Sequence, residues 1–214
     1  MQRPRILIAD EQTLIVEALS SLIASYAQVV GIAQNGRSLL EKVVRLRPDV
    51  VLLDLAMPLL TGSDAAQRAK EEVPSAKFIV LTAIEDPRIA ASALRTWASG
   101  YVLKRSSAAE LQSAMSDVLR GHSYVTPRMV IALEQQFIRD PNLKPHGLTV
   151  RQREVVQLLA EGRTMKEAAS ILQITPRTIA FHKYRVMEEF RLHSTSDLVR
   201  FAIREHMIAV SAHS

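Results

Sequence analysis

The 214-residue sequence contains no cysteine. Disulfides and thiolate-held metals are thereby excluded, and a reducing location, the cytoplasm, is expected. Long apolar runs are missing too. The stretch over residues 5–10 is too short for a signal-peptide core or a membrane span, so a soluble chain with no membrane partner is expected. Repeats and low-complexity tracts are absent. Charge is not extreme, at net +5, but it is unevenly shared. Residues 1–124 hold 14 Lys/Arg and 13 Asp/Glu, and residues 125–214 hold 13 and 9, giving +1 and +4. A basic second part suits a polyanion, although many surface helices are equally basic.

What is present is enough apolar residue, 48 %, to bury a real core, in a length that suits two domains. Short β-type runs over 5–10, 29–33, 50–54, 78–82 and 100–104 alternate with helical patterns over 14–23, 38–46, 64–73, 88–97 and 108–119. Ser107 and Glu110 have capping-box spacing at the start of the last of these. The run Val50-Val51-Leu52-Leu53 is apolar on both faces, as a central parallel strand covered by helices on each side must be. The pattern predicts a flavodoxin-like (βα)5 doubly wound parallel sheet. After Gly121 the strand signals stop. Thr126-Pro127 predicts the start of a linker helix toward Ile138, and Asp140-Pro141-Asn142 with Pro145-His146-Gly147 predicts an irregular hinge over 139–147.

From Leu148 onward the reading is all helix. Four starts carry caps: Thr149 with Gln152, Thr164 with Glu167, Thr175 before Pro176, and Ser194 with Asp197. Gly162 ends the first of the four, and Gln173-Ile174-Thr175 leave a tight turn before Pro176. A small all-α four-helix domain containing a helix-turn-helix follows.

In a doubly wound sheet the polar residues at the C-terminal strand ends gather in one crevice, and here they are Asp10, Glu11, Asp54, Thr82 and Lys104. Three carboxylates repel one another unless a cation joins them, and hard oxygen donors favour Mg2+. With Lys104 to neutralise phosphoryl oxygens, Asp54 at the end of the central strand is placed to act as a nucleophile and form an aspartyl phosphate. The Thr82 hydroxyl can bond the phosphoryl group and pull on the neighbouring loop, with Tyr101 as the second moving part. Taken singly, an Asp at a strand end is a turn residue and a lone Lys is a solvated one. A dehalogenase-type phosphatase would need a second acid two residues after Asp54, where Ala56 stands, so the chemistry is that of a self-modifying switch and no enzyme is expected.

Asp10-Glu11, Asp54 to Met57-Pro58, Gly62, Thr82-Ala83 and Gly100-Tyr101-Val102-Leu103-Lys104 resemble the receiver signature of response regulators over residues 4–121. The resemblance implies Asp54 as phosphoacceptor, a metal site of Asp10, Glu11, Asp54 and the Ala56 backbone carbonyl, and Thr82, Lys104 and Tyr101 as phosphate-binding and switch residues. Mg2+ and a sensor histidine kinase come with it. Glu11 departs from the pattern, in which aspartate is usual, and the longer arm is expected to weaken Mg2+ binding relative to a Glu11→Asp variant. Met57-Pro58 and Gly62 are taken as residues that shape the loop.

Leu148-Thr149, Arg151, Arg153-Glu154-Val155, Gly162, Lys166 to Ala169, Leu172, Thr178-Ile179 and His182 resemble a LuxR-type helix-turn-helix. Receiver and helix-turn-helix together are similar to the NarL/FixJ family of transcription factors, which implies double-stranded DNA as partner and a homodimer on it. The expected boundaries are 1–124 for the receiver, 125–145 for a partly helical linker and 146–214 for the DNA-binding domain. Ile179, Val186 and Phe190 are expected inside, leaving Thr175, Arg177, Thr178, Ala180, Phe181, Lys183, Tyr184 and Arg185 for DNA, with Lys183 and Arg185 on phosphates. Phe181 and Tyr184 touch bases only if they are not core, His182 is assigned to structure, and Glu154 to buried pairing. An alternative keeps the DNA-binding role but uses the receiver as a dimerisation or protein-binding module without phosphate.

Overall fold

The computed structural model describes residues 3–139 and 148–208. Of the expected hinge at 139–147, residues 140–147 lie outside them, and Arg139 ends a helix. The strands are β1 (Arg5–Ala9), β2 (Gln28–Ala33), β3 (Val50–Leu53), β4 (Lys77–Thr82), β5 (Gly100–Leu103) and β6 (Tyr124–Val125). The helices between them are α1 (Thr13–Ile23), α2 (Gly36–Leu46), α3 (Gly62–Glu72), α4 (Pro87–Thr96) and α5 (Ala108–Leu119). All neighbouring strands pair in parallel, in the order β2-β1-β3-β4-β5-β6.

Alternation along each strand sends side chains to two cores. Leu7, Ala9, Val51 and Leu53 face α2, α3 and α4, where Leu39, Val43, Ala65, Ala66, Ala69, Ala90 and Ala91 are buried. Ile6, Ile8, Val50 and Leu52 face α1 and α5, against Val16, Leu19, Ile23, Leu111, Ala114 and Val118. Both faces of the central strands are therefore apolar because both are covered.

Two expectations need correction. The sheet has six strands, not five: β6 pairs with the outer edge of β5 through Tyr124 and Val125. Two residues are too few to show a period, so no sequence signal marked it. Asp54 and Lys104, read as the last residues of their strands, lie one residue beyond β3 and β5. Their N–H groups still donate across the sheet, to the Ala9 and Thr82 carbonyls, and their side chains meet in the crevice.

The helix α6 (Pro127–Arg139) packs on α4. The second unit contains α7 (Val150–Ala160), α8 (Met165–Leu172), α9 (Pro176–Glu189) and α10 (Thr195–Arg204). Full capping boxes form at Thr149/Gln152 and Thr164/Glu167, Thr175 accepts from the Thr178 N–H, and Ser194 accepts from the Asp197 N–H. Each satisfies N–H groups that a helix start leaves without partners. Gly162 after α7 has φ +86°, and Gln173 after α8 has φ +54°, so a left-handed residue follows both helices before α9. Ile179 and Val186 are fully buried and Phe190 is half-buried, its ring 4.6 Å from that of Phe201.

Candidate functional site

β1 and β3 are neighbours in the sheet although β2 and α2 separate them in sequence. Their C-terminal ends flank the point where the strand order reverses, and the crevice opens there. Asp10 follows β1, Asp54 follows β3, Thr82 ends β4 and Lys104 follows β5. The Lys104 ammonium lies 2.8 Å from Asp10 and 2.6 Å from Asp54, and both carboxylates are buried. Burial works to lower the Lys104 pKa, but its hydrogen bonds to Asp10 and Asp54 outweigh that and hold it above the ordinary lysine value.

Glu11 lines the same crevice but is more exposed, and it makes no hydrogen bond or ion pair with any described residue. Partial burial, reinforced by Asp54 and Asp10, pushes its carboxyl above the usual carboxylate range despite Lys104. Three carboxylates thus face one ammonium, a charge imbalance that fits a divalent cation bound through oxygen. As the side chains stand, no group of three His, Cys, Asp or Glu among the described residues is gathered tightly enough to hold an ion.

The loop after β3 is shaped by steric limits. A Cβ on Gly62 would lie 2.1 Å from the Asp54 carbonyl oxygen, and the Gly62 N–H donates to Leu55. A side chain there would displace the backbone of Asp54. Ala56 lines the crevice, and its N–H points at Asp54 Oδ1 from 3.4 Å. Thr82 and Tyr101 are both buried, and both engage Ile84: the Thr82 hydroxyl accepts from the Ile84 N–H at 3.4 Å, and the Tyr101 hydroxyl donates to the Ile84 carbonyl at 2.8 Å. Burial, with Asp86 and Asp54 nearby, raises the Tyr101 phenol, which keeps it a donor. Ile84, which no sequence pattern marked, thus connects the two side chains by its backbone.

The expected DNA-facing residues lie on one unit. None of Thr175, Arg177, Thr178, Ala180, Phe181, Lys183, Tyr184 and Arg185 is buried. Phe181 and Tyr184 are each 60 % exposed, so neither belongs to the core. The Lys183 ammonium sits 5.6 Å from the Tyr184 ring centre. His182 is partly buried beside Phe181, and burial together with Arg151 lowers its pKa. Glu154 is buried and paired with Arg151 at 3.0 Å in its own unit and with Arg68 at 3.1 Å on α3.

Sequence reasoning missed the residues that join the two units. Ile203, His206 and Ile208, at and beyond the end of α10, line the mouth of the crevice with Asp54 and Lys104. Arg153 pairs with Asp64 at 2.7 Å, Gln157 donates to the Met57 carbonyl at 2.8 Å, and His206 approaches Asp86 to 3.8 Å. The signal available was only that Arg153 and Gln157 on α7, with Glu161 just past its end, form a polar stripe, which looks like a solvent face.

Residues 6–116 match the response regulator receiver domain, and residues 146–202 match the bacterial regulatory proteins of the luxR family. The chain belongs to the response regulators, with the receiver and LuxR-type arrangement of the NarL/FixJ family. It is a DNA-binding response regulator of a transcription-regulator family. It is 29 % identical to the oxygen regulatory protein NreC of Staphylococcus carnosus, across 95 % of this chain and 99 % of that one, and 30 % identical with the same coverage to NreC of Staphylococcus aureus strain JH9. Among solved structures, RcsB of Salmonella typhimurium superposes with TM-score 0.68 at 24 % identity, covering 96 % of this chain and 99 % of RcsB. RcsB of Salmonella enterica serovar Typhimurium bound to promoter rprA in the presence of phosphomimetic BeF3- superposes with TM-score 0.64 at 24 % identity, covering 94 % and 98 %. Among the described residues no helix is long and apolar enough to cross a membrane.

Proposed function

We infer that the chain is a cytoplasmic two-component regulator in which phosphorylation of Asp54 by a sensor histidine kinase alters binding to double-stranded DNA, on which it acts as a homodimer. Residues 1–124 are the receiver, 125–145 the linker and 146–214 the DNA-binding domain. The observation that carries the reading is the buried pair Asp10 and Asp54 on a single ammonium, at the crevice of a parallel sheet.

The Asp54 carboxylate oxygen attacks phosphorus of the donor; a new P–O bond forms as the donor's P–N bond breaks, and the departing imidazole takes up a proton. Lys104, already beside Asp54, neutralises a phosphoryl oxygen. Asp10, Glu11, Asp54 and the Ala56 carbonyl would hold Mg2+, which supplies further neutralisation of phosphoryl charge when bound. The Thr82 hydroxyl then donates to the phosphoryl group in place of its long contact with Ile84, which moves the segment that Tyr101 also holds. Arg177, Phe181, Tyr184 and Arg185 share one face of α9 at i, i+4, i+7 and i+8, with Thr175, Thr178, Ala180 and Lys183 beside them. That face enters the major groove, with Lys183 and Arg185 on phosphates. The NreC and RcsB likenesses support a DNA-binding regulator, and the BeF3--treated RcsB complex supports the phosphorylation part.

Incubation with acetyl phosphate and Mg2+, followed by intact mass measurement, tests the chemistry. One added phosphoryl group is expected on the parent and none on Asp54→Ala. No adduct on either would favour a receiver that serves only as a dimerisation or protein-binding module.

A further inference from the structure

Residues 176–185, the N-terminal part of α9, contain no Asn, Gln, Asp or Glu. Those are the side chains that pair bidentately with adenine or accept from cytosine in the major groove. With Ile179 and Val186 buried on one side of the helix, its period places Arg177, Ala180, Phe181 and Tyr184 together on the opposite side, bordered by Arg185. The middle of that face is apolar: two aromatic rings, each 60 % exposed, with the half-buried Ala180 one turn before Tyr184.

Neighbouring side chains orient the rings. The His182 ring meets Phe181 edge to face with centres 5.5 Å apart, and the Lys183 ammonium lies 5.6 Å from the Tyr184 ring centre. Thr178, a short hydrogen-bonding side chain beside this face, shares a 2.9 Å bond with Thr175 at the helix cap. Arg177, Lys183 and Arg185 make no ion pair with any described residue, so they flank the rings with uncompensated positive charge. Glu188 and Glu189 stand at the far end of α9, where phosphates repel them, and the N-terminal turns are the part that fits a duplex.

An apolar cluster within a basic rim has one apolar counterpart on the base edges of the major groove, the C5-methyl of thymine. Another base edge pressed against the rings would lose water from its hydrogen-bonding atoms without replacement. We propose that Phe181 and Tyr184 select thymine: each ring packs on a thymine C5-methyl, and the chain reads part of its target through methyl groups where other readers use hydrogen bonds. The proposal rests on α9 as the helix that enters the major groove. It makes Phe181 and Tyr184 specificity residues, and leaves Lys183 and Arg185 to act on every sequence alike.

The test uses the full chain, which first selects duplexes from a random pool. Affinity for one selected duplex is then measured by fluorescence anisotropy with each thymine in turn replaced by deoxyuridine, which removes the methyl and keeps the hydrogen-bonding edge. The same set is measured with Phe181→Ala, Tyr184→Ala and Tyr184→Phe. Both side chains are exposed, so neither alanine variant removes a core contact, and parental urea midpoints check this. In the parent, uracil is expected to weaken binding about fourfold at one or more positions, the effect of one methyl lost from an apolar contact. Each such penalty should vanish in the alanine variant of the residue that makes the contact and persist in Tyr184→Phe, which keeps the ring. Uracil without effect at every position in the parent would overturn the proposal. Penalties of equal size in the parent and both alanine variants would do so too, as expected if the rings lie on sugar. Failure of the underlying reading looks different: parental affinity and an unchanged salt slope after Lys183→Ala with Arg185→Ala would overturn α9 as the helix that meets DNA, an outcome distinct from equal uracil penalties.

Discussion

Asp10 and Asp54 lie buried close together because the Lys104 ammonium sits within 2.8 Å of each, and a buried charge without such a partner would be strongly destabilising. The positions of these three are legible in the sequence, since each belongs to a strand end and the topology of a parallel sheet brings those ends together. Gln157 and Glu161 are not legible in the same way: a polar side chain on a helix is buried or solvated according to what docks on it, which the local sequence does not encode. At the surface, Asp197 shows what a single cap contributes. Hydrogen bonds from Arg200, then Ser194 and the His193 N–H, hold its carboxyl down at about 2, below its ordinary 3.8. A depressed folded-state pKa gives stability that is present above the unfolded value and lost as pH falls through the folded one. Asp197→Asn is therefore expected to lower the urea midpoint of the second unit at neutral pH, and the gap to the parent should close between pH 3.8 and about 2. A gap that stays constant across that range would show that the carboxylate charge contributes nothing.

Among the elements, helix starts are the most legible features, because capping is a local match between a side chain and N–H groups three residues away. The boxes at Ser107, Thr149 and Thr164 all form. β6 is illegible for the opposite reason, since its two residues become a strand only by pairing with β5. Glycines divide along the same line. Gly121 has φ +90° with nothing within 4 Å of the place a Cβ would occupy, so its demand is conformational; Gly62 demands space, with the Asp54 carbonyl 2.1 Å away. Gly121→Ala is expected to cost about 1 kcal/mol, the left-handed penalty, whereas Gly62→Ala should cost about 3 kcal/mol because backbone cannot rotate aside as a side chain can. Urea denaturation of the two variants checks the order, and equal losses would contradict a tight packing of α3 on the loop after Asp54.

For the whole molecule, the sequence divides the work between a nearly neutral sheet domain and a basic helical one, with +1 and +4 charges. Composition alone shows which half is basic, but not how the halves meet. The structure supplies that: Arg153, Gln157 and Leu59 tie α7 to the loop after Asp54, and His206 with Ile208 reaches the crevice mouth. A chemical change at Asp54 therefore has a physical route to the second unit, through the loop that α7 touches and the crevice mouth that His206 and Ile208 line. The most direct measurement is the affinity of the full chain for a duplex selected from a random pool by the chain itself, with and without acetyl phosphate and Mg2+, in the parent and in Asp54→Ala. A severalfold change in affinity on phosphorylation of the parent, absent from Asp54→Ala, is the expected result; the same response in both proteins, or none in either, would contradict control of DNA binding through Asp54.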